Sequence, residues 1–272
     1  MFAQNLTPEM VAVVLDRLQV KPGKPNLLLL DRLIAAYVRT VPWESAFRIV
    51  KRASTPNLAQ CSRWPEEFWQ DHLLKGGGGS CFESNYAFSS ILAELGYDGY
   101  LTINNMGDSI GCHSAIIVPL QGQKWLVDVG FPIYAPLPIS RNGVMHRPTP
   151  FYHYTIRPDG ADRYQIERQP HPNWIAFTLI DRPVSDEEYR EVTTADYAPD
   201  GHFLERVIIH KILEEKAYRF TADEHPPQLT HFDYGHRRDQ PIKGDIAKAV
   251  SATFGLDETI VRRALHLISD GG

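Results

Sequence analysis

The sequence is short of cysteine, of consecutive basic residues and of long apolar runs, and each shortage narrows the reading. Cys61, Cys81 and Cys112 are an odd set without framework spacing, which argues against a disulfide-stapled fold and for a reducing compartment. Standard zinc spacings are missing, so Cys112 beside His113 is set aside as a metal pair with Cys81, and no metal is expected. The apolar cluster at residues 27–30 is cut by Asp31 and Arg32, too soon to span a bilayer. Arg237-Arg238 and Arg262-Arg263 are isolated pairs in a chain of net charge −5, which leaves no electrostatic footprint for nucleic acid. The first ten residues lack both a basic region and a small-residue cleavage site, so no signal peptide is read there. A cytoplasmic protein with neither membrane nor nucleic acid as partner is the expectation. At 272 residues it is long enough for a large core and two or three subdomains.

What is present centres on Gly76-Gly77-Gly78-Gly79-Ser80-Cys81. After the cysteine, apolar residues at Phe82, Ala87, Phe88, Ile91, Leu92 and Leu95 follow the rhythm of an amphipathic helix, and Gly96 ends it. Cys81 therefore opens a helix, where unpaired N–H groups and the macrodipole help a thiol to ionise. Most free cysteines simply pack, so a base and an orienting acid must be found before Cys81 counts as a nucleophile. Two β-rich runs flanking Gln121-Gly122 supply them. With Leu120 opposite Gln123 in a two-residue hairpin, His113 and Asp128 fall on one face as diagonal neighbours. A change of one residue in the loop would part them. Asp128 sits in the apolar run Val127-Asp128-Val129, where an unpaired carboxylate is costly, and His113 is the donor the hairpin offers. A Cys81–His113–Asp128 set has the logic of a nucleophilic triad. A phosphate-binding loop is rejected, because the Gly-Lys-Ser/Thr ending is missing after the glycines.

These residues resemble the arylamine N-acetyltransferase family. Gly78-Gly79-Ser80-Cys81-Phe82-Glu83-Ser84-Asn85 matches its cysteine motif, His113 with its apolar strand the second, and Val127-Asp128-Val129-Gly130-Phe131 the third. Val41-Pro42-Trp43-Glu44-Ser45 is similar to an upstream box, Pro199-Asp200-Gly201-His202-Phe203 to a downstream segment, and residues 250–265 to the closing helix region. Three departures stand out. Gly77 occupies the place of the family's arginine, Ser45 that of an asparagine, and Pro132 that of a glycine. Glu44 thereby loses its expected partner unless Arg39, Arg48 or Lys75 replaces it.

The resemblance implies an α+β fold with a cysteine-protease-like core in three parts. These are an N-terminal helical bundle with the nucleophile (residues 1–96), a central antiparallel β-barrel with His113 and Asp128 (97–200) and a C-terminal α/β lid (201–272). It also implies an acyltransferase that carries an acetyl group from acetyl-CoA through Cys81 to an arylamine or hydrazine by a ping-pong route. Cys81, His113 and Asp128 are its expected catalytic residues, Gly130 and Phe131 lie near the coenzyme, and Phe131 and Trp43 are candidates for an aromatic slot. The rivals are an amide synthase taking a carrier-bound acyl chain, a thiol hydrolase or protease, and a non-enzymatic relative. Gly79-Ser80-Cys81-Phe82 is faintly similar to the papain pattern, but the papain histidine lies about 130–150 residues downstream, far beyond His113.

Along the chain, helices are predicted at residues 7–20, 26–40, 66–74 and 82–95, with an irregular stretch at 51–64. Strands are predicted at 99–104, on both sides of Gln121-Gly122, in a hairpin turning at Pro158-Asp159-Gly160, and at 174–179. A Pro-rich connection links the first hairpin to the second. Residues 203–210 and 217–220 read as strands, and 186–191, 245–254 and 257–267 as helices.

Overall fold

The structure is a computed structural model that describes residues 6–171, 173–233 and 236–270. The first five residues, part of the stretch read for a leader, lie outside it. Helix α1 (Pro8–Leu18) starts where Thr7 accepts a hydrogen bond from Met10 N, and α2 (Leu27–Thr40) where Asn26 accepts one from Leu29 N. Each cap satisfies an N–H that the first turn leaves unpaired. Between them they bury Val14, Leu30, Leu33 and Ile34 completely, each side chain contributing about 1.5–3 kcal/mol. Strand β1 (Trp43–Glu44) leads to α3 (Ala46–Ser54), and α4 (Pro65–Lys75) and α5 (Cys81–Glu94) complete the helical part.

Helix α5 corrects the amphipathic reading. Its apolar residues do fall at helical spacing, but every residue from Cys81 to Leu92 is buried, including Glu83, Ser84, Asn85, Ser89 and Ser90. The polar stripe faces other protein rather than water, which is where the site is built.

The second part is one antiparallel sheet. It comprises β2 (Tyr100–Met106), β3 (Ser109–Leu120), β4 (Gln123–Val127), β5 (Leu137–Ile139), β6 (Met145–Pro148), β7 (His153–Pro158), β8 (Arg163–Gln169) and β9 (Ile175–Ile180). Its order is β5-β4-β3-β2-β9-β8-β7-β6, and β5 lies back against β6 and β7, so the sheet curls into a nearly closed barrel. Alternating inward residues such as Ile117, Leu126, Ile156, Tyr164, Ile166 and Phe177 fill it. The β3–β4 register is the one the sequence predicts, with Leu120 opposite Gln123 and Ile117 opposite Leu126. Gln121 and Gly122 both have positive φ, 54° and 77°, as a two-residue hairpin turn with matching twist requires.

Helix α6 (Asp186–Ala195) leads to a second antiparallel sheet of β1, β10 (Ile208–Leu213), β11 (Lys216–Thr221), β12 (Gln228–Asp233) and β13 (His236–Pro241), followed by α7 (Ile246–Phe254) and α8 (Glu258–Asp270). Helix α3, partly inside the stretch read as irregular, packs on α8, and its Phe47, Ile49 and Val50 share one hydrophobic core with Val207, Phe220, Val250 and Phe254. Residues 43–54 thus share their core with the C-terminal layer. Strands β5 and β6 occupy the Pro-rich connection, and β10 begins five residues later than the predicted strand. The α+β architecture stands as expected. Among the described residues no helix is long and apolar enough to cross a membrane.

Candidate active site

Three side chains singled out in the sequence meet where α5 abuts the barrel. Cys81 is the first residue of α5, 7% exposed, with its Sγ 3.8 Å from the carbonyl oxygen of Cys112. His113 comes from β3 and Asp128 from just beyond the end of β4. His113 Nε2 lies 2.6 Å from Asp128 Oδ2, and both residues are buried. Burial pulls the imidazole's pKa down, but the Asp128 charge and hydrogen bond, with a further contribution from Cys81, outweigh it and hold it up at about 10. The ring is enclosed by Phe177 at 4.6 Å and Phe131 at 6.0 Å between centroids.

Asp128 is held from its other side as well. Its Oδ1 accepts hydrogen bonds from Asn85 Nδ2 (2.9 Å), Gly130 N (3.0 Å) and Phe131 N (2.7 Å). Asn85 also donates to the Ser114 carbonyl (2.8 Å) and accepts from Val129 N (3.0 Å). One side chain on the polar stripe of α5 therefore fastens the helix to β3 and to the segment that follows β4. Ser114 Oγ donates to the Cys81 carbonyl at 3.0 Å, and the Tyr189 hydroxyl lies 2.9 Å from the same Oγ.

Gly130 sits directly against the nucleophile's backbone. A Cβ there would lie 2.4 Å from Cys81 Cα and 2.8 Å from Asn85 Nδ2, neither of which is the free end of a flexible chain. Gly130→Ala is accordingly expected to push α5 off the hairpin. Thiol alkylation by iodoacetamide should slow by more than tenfold; alkylation at the wild-type rate would mean that the contact is slack. Phe131, half-buried, sets its ring roughly perpendicular to that of His113. Trp43 packs on Phe203 (4.9 Å) and His210 (5.7 Å) and, with Val129, Pro132 and Tyr134, lines a small cleft of about 40 Å³.

The expectation for Glu44 is corrected. Arg39 pairs with Glu215, Arg48 with Asp196 and Lys75 with Asp71, so none of the three replaces the missing arginine. Arg63 does, from a different stretch of chain. Its guanidinium is buried, lies 2.7 Å from Glu83 Oε2 and 3.9 Å from Glu44 Oε1, and donates to the Gly78 carbonyl at 2.7 Å. Glu44 in turn accepts from Phe47 N (2.9 Å) and Gly78 N (3.2 Å). Gly77 suits this rearrangement, because a Cβ there would lie 2.8 Å from the Phe47 ring. Burial raises Glu44 above the ordinary carboxylate range despite Arg63. It would raise Glu83 too, but there Arg63, Arg48 and the Tyr197 hydroxyl win and hold the pKa down. Sequence reasoning missed both Arg63 and the bridging role of Asn85. The available signal for Arg63 was a cation two residues before Pro65 at a helix N-terminus, where the macrodipole disfavours positive charge.

With a helical layer carrying the cysteine and a barrel carrying the histidine and aspartate, the fold is that of an N-acetyltransferase, and a family model described as N-acetyltransferase matches residues 26–260. The chain belongs to the arylamine N-acetyltransferase family and is an enzyme. Arylamine N-acetyltransferase of Escherichia coli is 25% identical over 245 residues, 84% of this chain and 82% of that one. Proansamycin X synthase of Amycolatopsis mediterranei is 27% identical over 114 residues, 39% of this chain and 42% of that one. The structure of Mycobacterium marinum arylamine N-acetyltransferase in complex with CoA superposes with a TM-score of 0.77 at 18% identity, covering 94% of this chain and 98% of that one.

Proposed function

We propose that the protein transfers an acetyl group from acetyl-CoA to an aromatic amine or hydrazine through a thioester on Cys81. The observation that carries this reading is the buried His113–Asp128 pair beside a thiol at a helix N-terminus. Asp128 keeps the imidazole oriented and charged, and the Cys81 proton resides on His113. The thiolate attacks the acetyl carbonyl, and the backbone N–H of Cys81, at the open end of α5, is offered to the oxyanion. The bond from the acetyl carbon to the CoA sulfur breaks, and the departing thiolate takes the proton from His113. An amine then attacks the Cys81 thioester and gives its proton to His113, the thioester bond breaks, and the thiolate–imidazolium pair is restored. Gly130 and Phe131, adjoining Cys81 and His113, border the path of the donor and acceptor. Three cysteines that form no disulfide suit a reducing cytoplasm.

Intact-protein mass after mixing with acetyl-CoA tests the reading. Wild type is expected to gain one acetyl group and Cys81→Ala none. A gain in both proteins would place the acetyl elsewhere and overturn the role of Cys81. A second reading, an amide synthase fed by a carrier-bound acyl chain, draws on Pro132 and on the similarity to a synthase. It takes precedence if Cys81 alkylates rapidly yet acetyl-CoA leaves no adduct.

A further inference from the structure

The turn that carries the nucleophile is not held as other helix starts in this chain are. Ser80 stands at the N-cap of α5, yet its side chain makes no capping hydrogen bond and its Oγ is buried without a partner. In α1 and α2 the cap side chain accepts from an N–H of the first turn. Omitting the cap leaves first-turn N–H groups to an oxyanion, and it also leaves the helix start looser. Something else must steady Cys81.

Two hydroxyls do so from the carbonyl side. Ser114 Oγ donates to the Cys81 carbonyl at 3.0 Å, and Asn85 Nδ2 lies 3.3 Å from the same Oγ. The Tyr189 hydroxyl, brought in by α6, is 2.7 Å from the Phe82 carbonyl oxygen and 2.9 Å from Ser114 Oγ. Both residues are fully buried, and burial holds the Tyr189 phenol well above its ordinary pKa, so it remains a donor. Neither carbonyl requires these bonds. Cys81 and Phe82 open an α-helix, so their carbonyls already accept from the N–H groups of Asn85 and Tyr86, four residues on. The additional bonds fall on the one turn where the direction of a side chain decides the chemistry.

Ser114 is also an exception to its strand. On β3 it shares a face with Ile116 and Val118, which join the core beneath the helices, and a hydroxyl among them is costly unless it is bonded. It directly follows His113. One dipeptide thus carries the base in its first side chain and holds the nucleophile's carbonyl with its second.

We propose that Ser114, backed by Tyr189, is a positioning residue that locks the first turn of α5, so that the Cys81 thiolate, and later its thioester, keeps one orientation toward His113. This rests on the acyl-transfer reading above. Neither hydroxyl touches the reacting atoms; both act through the backbone of Cys81 and Phe82.

The experiment follows acetyl loading of Cys81 by rapid mixing over a range of acetyl-CoA concentrations. Ser114→Ala is expected to lower the maximal loading rate by roughly tenfold to a hundredfold, as a small misplacement of a reacting group does, with the half-saturating concentration unchanged. Ser114→Thr returns the hydroxyl and should recover most of the rate. Tyr189→Phe should lose roughly threefold to tenfold, the worth of one neutral hydrogen bond. The double variant should lose less than the product of the two single losses, because both hydroxyls act on one turn. Loading at the wild-type rate in Ser114→Ala overturns the proposal. So does a loss that lies in the half-saturating concentration, or a threonine variant no faster than the alanine one, either of which would make Ser114 a packing residue. Alkylation by iodoacetamide, which needs no acetyl-CoA, keeps the two readings apart. A wild type that alkylates but never loads removes the acyl-transfer reading. The positioning role then stands if Ser114→Ala alkylates about tenfold more slowly than wild type, and falls if the two rates are equal.

Discussion

Asp128→Asn is expected to lower kcat/KM for acetyl transfer by about 10³–10⁴-fold while leaving the chain folded. The reason lies in which donors surround the carboxylate. Three N–H groups, from Asn85, Gly130 and Phe131, point at Oδ1. In the variant the amide oxygen must take that position, which turns the amide NH₂ toward His113 Nε2. That nitrogen, which faces a carboxylate in wild type, would then have to accept, and the imidazole proton would be forced onto Nδ1. The ring would present a donor where it is required to receive the thiol proton. The charge that holds His113 up at about 10 would vanish in the same step. Burial, opposed only by the contribution of Cys81, then draws the imidazole down. Loading of Cys81 followed by rapid mixing from pH 6 to 10 checks both effects. A variant within tenfold of wild type, or with an unchanged pH profile, would show that Asp128 is not what sets the state of His113. The stability effect has a definite sign. A group raised in the folded state stabilises fully below its unfolded pKa of 6.5 and stops doing so as pH rises through about 10. The stability difference between wild type and variant should therefore shrink across that window.

What the sequence made legible was whatever local spacing determines. Two residues of turn between β-rich runs set the β3–β4 register, and the register alone puts His113 and Asp128 on one face. Thr7 and Asn26 announce their helices because capping is a matter of three residues. What stayed hidden depends on distance along the chain. Arg63 and Glu83 are twenty residues apart and meet only because α4 and α5 pack side by side; no periodicity encodes the meeting. Glu83 and Asn85 look like the wet face of an amphipathic helix, and only a neighbour on that side turns them into buried partners. Strand β13 is Arg- and Asp-bearing and exposed throughout, as a protected sheet edge often is, so it carries no alternating pattern to read. Helix α3 escaped notice because its apolar positions pack on residues 150 or more positions later. Ser114 does sit in the alternation of β3, yet alternation predicts an apolar residue there. The exception to the pattern is the informative observation.

Arg63→Met is expected to destabilise the fold by about 3–5 kcal/mol near neutral pH, the cost of leaving a buried charge unpaired. Methionine keeps most of the volume, so the loss is electrostatic rather than a cavity. Glu83 would be left with the backbone N–H of residue 63, the Tyr197 hydroxyl and the more distant Arg48, and Glu44 with two backbone N–H groups. In wild type, Glu83 is held low, so its contribution is present above the ordinary carboxylate range and fades as pH falls through its folded value. Glu44 is held high and works in the opposite direction. Without Arg63 both carboxylates move upward. A group raised in the folded state gains stability on protonation, so the variant recovers ground as the solution is acidified. The stability gap, measured by urea unfolding at pH 8 and again at pH 5, should narrow at the lower pH. A gap of the same size at both would mean that Arg63 acts through packing, and a gap below about 1 kcal/mol would place it among ion pairs of little consequence. Because the same guanidinium donates to the Gly78 carbonyl three residues before Cys81, a variant that still folds should also alkylate more slowly at Cys81. Arg63→Lys should not repair this. A lysine ammonium is a point charge without the planar fork that here reaches Glu83 and the Gly78 carbonyl at once.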